Sequence, residues 1–147
     1  MICRGSLGRV EDDALGVDWV DIDWTHTLRR AMRLVSRAGR RVDVLLPPGG
    51  RLAHGDLLVV GETPVAVWLA EIDLLKIVCP DPVVRARVAF DLGNLHLPAQ
   101  MTPVSILTPD DGPARQIAHA RHAEIEPVRQ RFYPEPVVLE PNRLRPV

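Results

Sequence analysis

The chain has 147 residues, with 18 basic and 19 acidic side chains, a net charge of -1, 46% hydrophobic residues and a mean hydropathy of +0.02. A chain of this length buries roughly 68–70% of the surface its unfolded form exposes, enough for one domain or two small ones without staples. The balanced charge argues against a nucleic-acid binder, which would show a cationic excess. The most apolar stretch, 57–78, is broken by Glu62, Pro64, Glu71, Asp73 and Lys76, so it cannot supply the about 20 uninterrupted apolar residues that a bilayer requires.

Arg4 and Arg9 are followed by Glu11, Asp12 and Asp13 with no apolar leader between them, which leads to the expectation of a cytoplasmic protein. Cys3 and Cys79 are too few and too far apart for a disulfide framework or a zinc ribbon, and both are expected to be free thiols. The 14 prolines, about a tenth of the chain against a usual one in twenty, stand singly and cut it into short elements. Lys76 is the sole lysine among the basic residues, and the wide spread of the arginines reads as compositional bias.

Leu28, Ala31, Met32 and Val35 have helical spacing with Arg29, Arg30, Arg33 and Arg37 opposite, yet Ala38-Gly39 reads as a hairpin turn. The two signals conflict, and the strand reading is preferred. Val42, Val44 and Leu46 alternate until Pro47-Pro48-Gly49-Gly50 stops the run, Leu57–Val60 follows the turn His54-Gly55-Asp56, and Pro64–Leu69 makes a third strand.

The period then changes. After a strand over 72–78, Asp81 is placed to cap a helix with Pro82 at its first position; Val84, Val88 and Leu92 recur every four residues, and Gly93 falls where a left-handed cap is expected. Gln100–Thr108 predicts one or two short strands, Pro113–Arg121 a second helix and Ile125–Phe132 a last strand. The fold class is therefore α+β: a small N-terminal β domain, 1–72, followed over 73–136 by the β-α-β-β-α-β order of a ferredoxin-like unit, then a tail, 137–147.

Candidate chemistry centres on histidine. The chain has no Gly-rich phosphate loop, no HExxH, no paired CxxC and no nucleophile flanked by plausible partners, so it does not read as an enzyme. His96 stands just past a helix end between Leu95 and Leu97. An imidazole in an apolar segment is ordinarily a satisfied core or surface residue. On a two-fold axis, however, symmetry sets a second copy beside the first, and two imidazoles would offer two nitrogen donors to a transition metal. His119 and His122, three apart near the end of the second helix, are either an imidazole pair on one face or residues favoured by the helix dipole, with His122 at the left-handed cap. His26 and His54 read as surface residues.

The segment Ala89-Phe90-Asp91-Leu92-Gly93-Asn94-Leu95-His96-Leu97-Pro98 resembles the "hydrophobic, x, LGN-x-H, hydrophobic, P" segment of the urease accessory protein E family, the nickel metallochaperones of urease maturation. Gly39-Arg40, Leu46-Pro47-Pro48-Gly49, Leu52-Ala53-His54-Gly55-Asp56, Ala70-Glu71 and Phe132-Tyr133-Pro134-Glu135 agree in order, so the resemblance covers about 18–135.

The resemblance implies a homodimer whose N-terminal domain contacts partners, namely the urease apoprotein and other urease accessory proteins. It implies that the C-terminal domain dimerises and carries Ni(II) as cargo on His96 from both subunits; the affinity order of divalent metals makes Zn(II) and Cu(II) competitors, and spacing alone makes His119 and His122 a candidate auxiliary pair. Departures accompany it: Asp110-Asp111-Gly112 stands where relatives often have histidines, His122 replaces a small cap residue, and the tail Leu139–Val147 has no ligand better than Glu140. These keep a second reading open, a scaffold of the same fold with little metal affinity.

Overall fold

The computed structural model describes residues 2–3, 6–60 and 63–136; the expected tail at 137–147 lies outside them. The chain divides into two compact units, Met1–Glu71 and Ile72–Val147.

The N-terminal unit holds two three-stranded sheets. In the first, β1 (Ile2–Cys3) pairs parallel to β4 (Arg41–Leu45), which pairs antiparallel to β3 (Ala31–Val35), giving the order β1-β4-β3. In the second, β2 (Asp18–Ile22) runs parallel to β6 (Thr63–Leu69), and β5 (Leu57–Val60) runs antiparallel to it, giving β2-β6-β5. The central strand β6 buries Val65, Ala66 and Val67 in succession, as a strand covered on both faces must.

The conflict over residues 28–37 resolves as strand at Ala31–Val35. Leu34 is buried opposite Val42, Ser36 N–H donates to the Arg40 carbonyl at 2.9 Å, and Gly39 takes the turn at φ 79°. A short 3-10 helix, Trp24–Leu28, precedes β3 and had no clear periodic signal; Asp23 caps it by accepting from the Thr25 and His26 amides. Ahead of β2, residues 7–10 lie along β5. Leu7 N–H donates to the Leu57 carbonyl at 2.9 Å and Val10 N–H to the Gly55 carbonyl at 3.0 Å.

The C-terminal unit is a four-stranded antiparallel sheet of β7 (Ile72–Val78), β8 (Gln100–Met101), β9 (Ser105–Pro109) and β10 (Glu124–Gln130), in the order β10-β7-β9-β8. Helix α1 (Pro82–Asn94) follows β7, and α2 (Gly112–Ala120) follows β9. The β-α-β-β-α-β order and the α+β class read from the sequence are therefore those of the molecule.

Leu75, Ile77 and Ile106 from the sheet close on Val88 and Leu92 of α1 and on Ala114, Ile117 and Ala118 of α2. Cys79 is a buried free thiol in the same core, and burial pushes its pKa up. The last strand ends at Gln130 rather than Phe132. The chain then leaves the β10 edge and reaches the opposite edge, where Tyr133 N–H donates to Gln100 Oε1 at 2.8 Å and Glu135 N–H to the Ala99 carbonyl at 2.7 Å, with Phe132 fully buried between. No helix among the described residues is long and apolar enough to cross a membrane.

Candidate metal centre

Helix α1 begins as its sequence directs. The Asp81 carboxylate accepts from the Val83 and Val84 amides at 2.7 and 3.2 Å, and Pro82 occupies the first turn, where its missing N–H is no loss. Its other end departs from expectation. Gly93 stays within the helix, and the left-handed residue is His96, at φ 56°.

His96 N–H donates to the Gly93 carbonyl at 3.0 Å and Leu97 N–H to the Leu92 carbonyl at 2.9 Å, the two bonds of a Schellman turn with His96 at the position glycine usually takes. The apolar contact that accompanies such turns is present, because Leu92 and Leu97 share the core. The segment around His96 is thus a tight turn rather than an extended run. Leu97 points into its own unit, while Leu95, 55% exposed, and His96 remain at the surface.

Helix α2 repeats the design. Asp111 caps its start by accepting from the Ala114 amide at 2.8 Å. At its end His122 has φ 52°, His122 N–H donates to the His119 carbonyl at 3.0 Å, and Ala123 N–H donates to the Ala118 carbonyl at 3.0 Å. His119 is exposed in the last turn of the helix, and exposed His122 lies two residues beyond it. Helical i, i+3 geometry does not extend to this pair, so a chelate would have to form across the turn.

Two carboxylates on or next to these helices already have partners. Asp91 accepts both prongs of the Arg121 guanidinium, at 2.7 and 3.0 Å, and Asp110 accepts both prongs of Arg115, at 2.7 and 2.8 Å. In each case the arginine holds the carboxyl below its ordinary range, chiefly through the hydrogen bonds. Among the described residues, no three His, Cys, Asp or Glu side chains gather closely enough to hold a metal ion. His96, His119 and His122 are each brought to the surface at helix ends, and exposed Glu124 follows His122 by two residues.

His54 differs from its expected surface role. Its side chain is 12% exposed, Nδ1 accepts the Leu69 N–H at 3.1 Å, and Nε2 faces the Asp12 carboxylate. The acceptor role of Nδ1 places the proton on Nε2. The ring stacks on Trp19 at 6.1 Å and meets Trp68 edge-on at 5.0 Å. The available signal was the pair of tryptophans, Trp19 on β2 and Trp68 on β6, which the strand pairing sets two register positions apart.

Two family descriptions match the chain: UreE urease accessory protein, N-terminal domain, over residues 5–71, and UreE urease accessory protein, C-terminal domain, over residues 72–142. The chain is 30% identical over 121 residues to the urease accessory protein UreE of Verminephrobacter eiseniae (strain EF01-2), covering 79% of this chain and 72% of that protein. It is 27% identical over 120 residues to the urease accessory protein UreE of Acetivibrio thermocellus, covering 79% of this chain and 78% of that protein. Against the Polaromonas naphthalenivorans (strain CJ2) protein of the same name, identity is 25% over 129 residues, and the chain spans 58% of that relative's length. Each match falls within one of the two compact units, and the family is one of accessory proteins rather than enzymes. The chain belongs to the UreE urease accessory protein family.

Proposed function

We propose that this chain is a dimeric nickel carrier that delivers Ni(II) during urease active-site assembly, with His96 from both copies as the core ligands. The observation that carries the reading is His96 itself. An exposed imidazole occupies the left-handed position of a Schellman turn, where glycine is the unstrained residue, within the LGN-x-H segment of its family.

A rigid turn fixes the backbone of the ligand while leaving its ring free to meet a second copy across a two-fold axis. Two imidazoles suit a borderline metal and leave coordination positions open to water, a carboxylate or the next protein, which transfer requires. His119 and His122 form a weaker auxiliary pair in this reading. Zn(II) and Cu(II) compete for the same nitrogens. The N-terminal unit contacts the urease apoprotein and other accessory proteins, and the work takes place in the cytoplasm.

Nickel titration by calorimetry, with sedimentation of the same samples, tests the proposal. The expected result is a dimer binding about one nickel ion tightly, lost in His96→Ala, with any weaker class surviving that change and disappearing in His119→Ala. Because imidazole coordinates only in its neutral form, affinity falls on acidification below neutral pH. Tight binding undiminished by His96→Ala would overturn the site. A wild type that binds no nickel would favour the scaffold reading, which the arginine-held Asp91 and Asp110 support.

A further inference from the structure

The sheet β1-β4-β3 ends at β3, and its register shows what that edge offers. Leu46 N–H donates to the Arg30 carbonyl at 2.8 Å, and Ser36 N–H to the Arg40 carbonyl at 2.9 Å. In an antiparallel pair the residues alternate between facing the partner strand and facing away. Met32 and Leu34 therefore turn their backbone groups to β4, whereas Ala31, Arg33 and Val35 turn theirs outward. No other described residue bonds those outward amides and carbonyls. The same three residues also carry the exposed side chains of the strand, Val35 at 63%.

The charge around the edge is one-signed. Residues 29–51 contain seven arginines and one acidic residue, Asp43. Arg37 and Arg40 turn to Asp21 and Asp18, and Arg30 donates to the Leu46 carbonyl. Arg33, 94% exposed, lies 3.6 Å from Asp43, while Arg29 and Arg41 make no ion pair among the described residues. Exposed Leu45 lies opposite Ala31, and Arg41 opposite Val35.

We propose that the outer edge of β3 docks an extended acidic segment of a partner protein, which adds as a fourth strand with a carboxylate opposite Arg33 and apolar side chains opposite Ala31 and Val35. Main-chain bonds to the three free residues supply the register. The Arg33 fork swings from its long contact with Asp43 to the new carboxylate. A second copy is the poorer occupant, because antiparallel self-pairing centred on Ala31, Arg33 or Val35 sets Arg33 against Arg29, Arg33 or Arg37, and like charges directly opposite repel. A nucleic acid is poorer too: the edge alternates arginine with Ala31 and Val35 and presents no aromatic ring on which a base could stack. The inference deepens the reading of the N-terminal unit as the partner-contacting one.

The test uses the full chain and a capped heptapeptide, TVTETVT, whose glutamate is flanked at two residues on either side by valine. Binding is followed by titration, and amide hydrogen exchange locates it. The expected result is slowed exchange at Ala31, Arg33 and Val35, with the lysine peptide TVTKTVT binding at least about threefold more weakly and the order reversing in Arg33→Glu. Arg33→Gln, which removes the charge alone, should bind the two peptides alike and serves if Arg33→Glu fails to fold.

Equal binding of both peptides to the wild type, or slowed exchange elsewhere, overturns the proposal. So does concentration-dependent slowing at β3 without peptide, which would mean a second copy, or stronger slowing by a single-stranded oligonucleotide. Nickel titration of Arg33→Glu separates the two readings. A chain that binds nickel but no peptide loses only the docking edge, and one that binds peptide but no nickel loses only the metal site.

Discussion

Replacing His96 with glycine should stabilise the protein while abolishing its tight nickel site. A side-chain-bearing residue in the left-handed region carries a penalty of roughly 1–2 kcal/mol, at the low end for histidine, which visits that region more readily than most residues. Glycine relieves it but returns about 0.4–1 kcal/mol through its greater freedom in the unfolded chain. The net gain at φ 56° is therefore at most about 0.6 kcal/mol, because the His96 N–H bond to Gly93 and the Leu97 bond to Leu92 involve only backbone and survive the change. The assay is urea unfolding in chelator, paired with nickel titration. His122→Gly is the internal control: with φ 52° and the same two bonds, it should gain a similar amount while keeping the tight nickel site. Ala should gain nothing at either position, since it keeps the Cβ. A His96→Gly variant that loses stability while His122→Gly gains it would refute the strain argument at His96, and an unchanged nickel isotherm in His96→Gly would refute its role as ligand.

Three further outcomes follow from the packing and the charges. Arg121 holds Asp91 below the ordinary carboxylate range, so the pair stabilises the fold above about pH 4 and is lost as pH falls through the lowered folded value. Urea midpoints at pH 7 and pH 3 should therefore differ less in Asp91→Asn than in the wild type. Phe132, fully buried, should cost about 3–5 kcal/mol when replaced by alanine, read from the same unfolding curves. At Gly55 a Cβ would meet the Val10 carbonyl oxygen at 2.7 Å on a backbone at φ 79°, so Gly55→Ala should destabilise by about 1–3 kcal/mol and speed exchange of the Val10 amide, which donates to Gly55.

What could be read ahead of the structure was whatever local chemistry determines. Asp81 and Pro82 announce α1 because the cap and the missing N–H act within one turn, and Val88 and Leu92 announce its buried face by spacing alone. The end of that helix was not legible in the same way. Gly93 is the residue best suited to the left-handed position, but the turn closes where Leu97 can rejoin Leu92 in the core, and that tertiary contact pushes the strained position onto His96. His54 escaped for a related reason: its neighbours Trp19, Trp68 and Asp12 come from three separate stretches of chain, and only strand pairing gathers them. The candidate metal site has both kinds of origin. Its imidazole was visible as a motif, but its exposure results from a backbone decision made by packing. The carboxylates that a sequence reading would enlist beside it, Asp91, Asp110 and Asp111, are engaged instead with Arg121, Arg115 and the Ala114 amide. An arginine-rich chain that ties up these aspartates leaves imidazole presented at both helix ends, joined only at the second by exposed Glu124. A two-histidine site shared between copies is thus more consistent with this surface than a carboxylate cage within one.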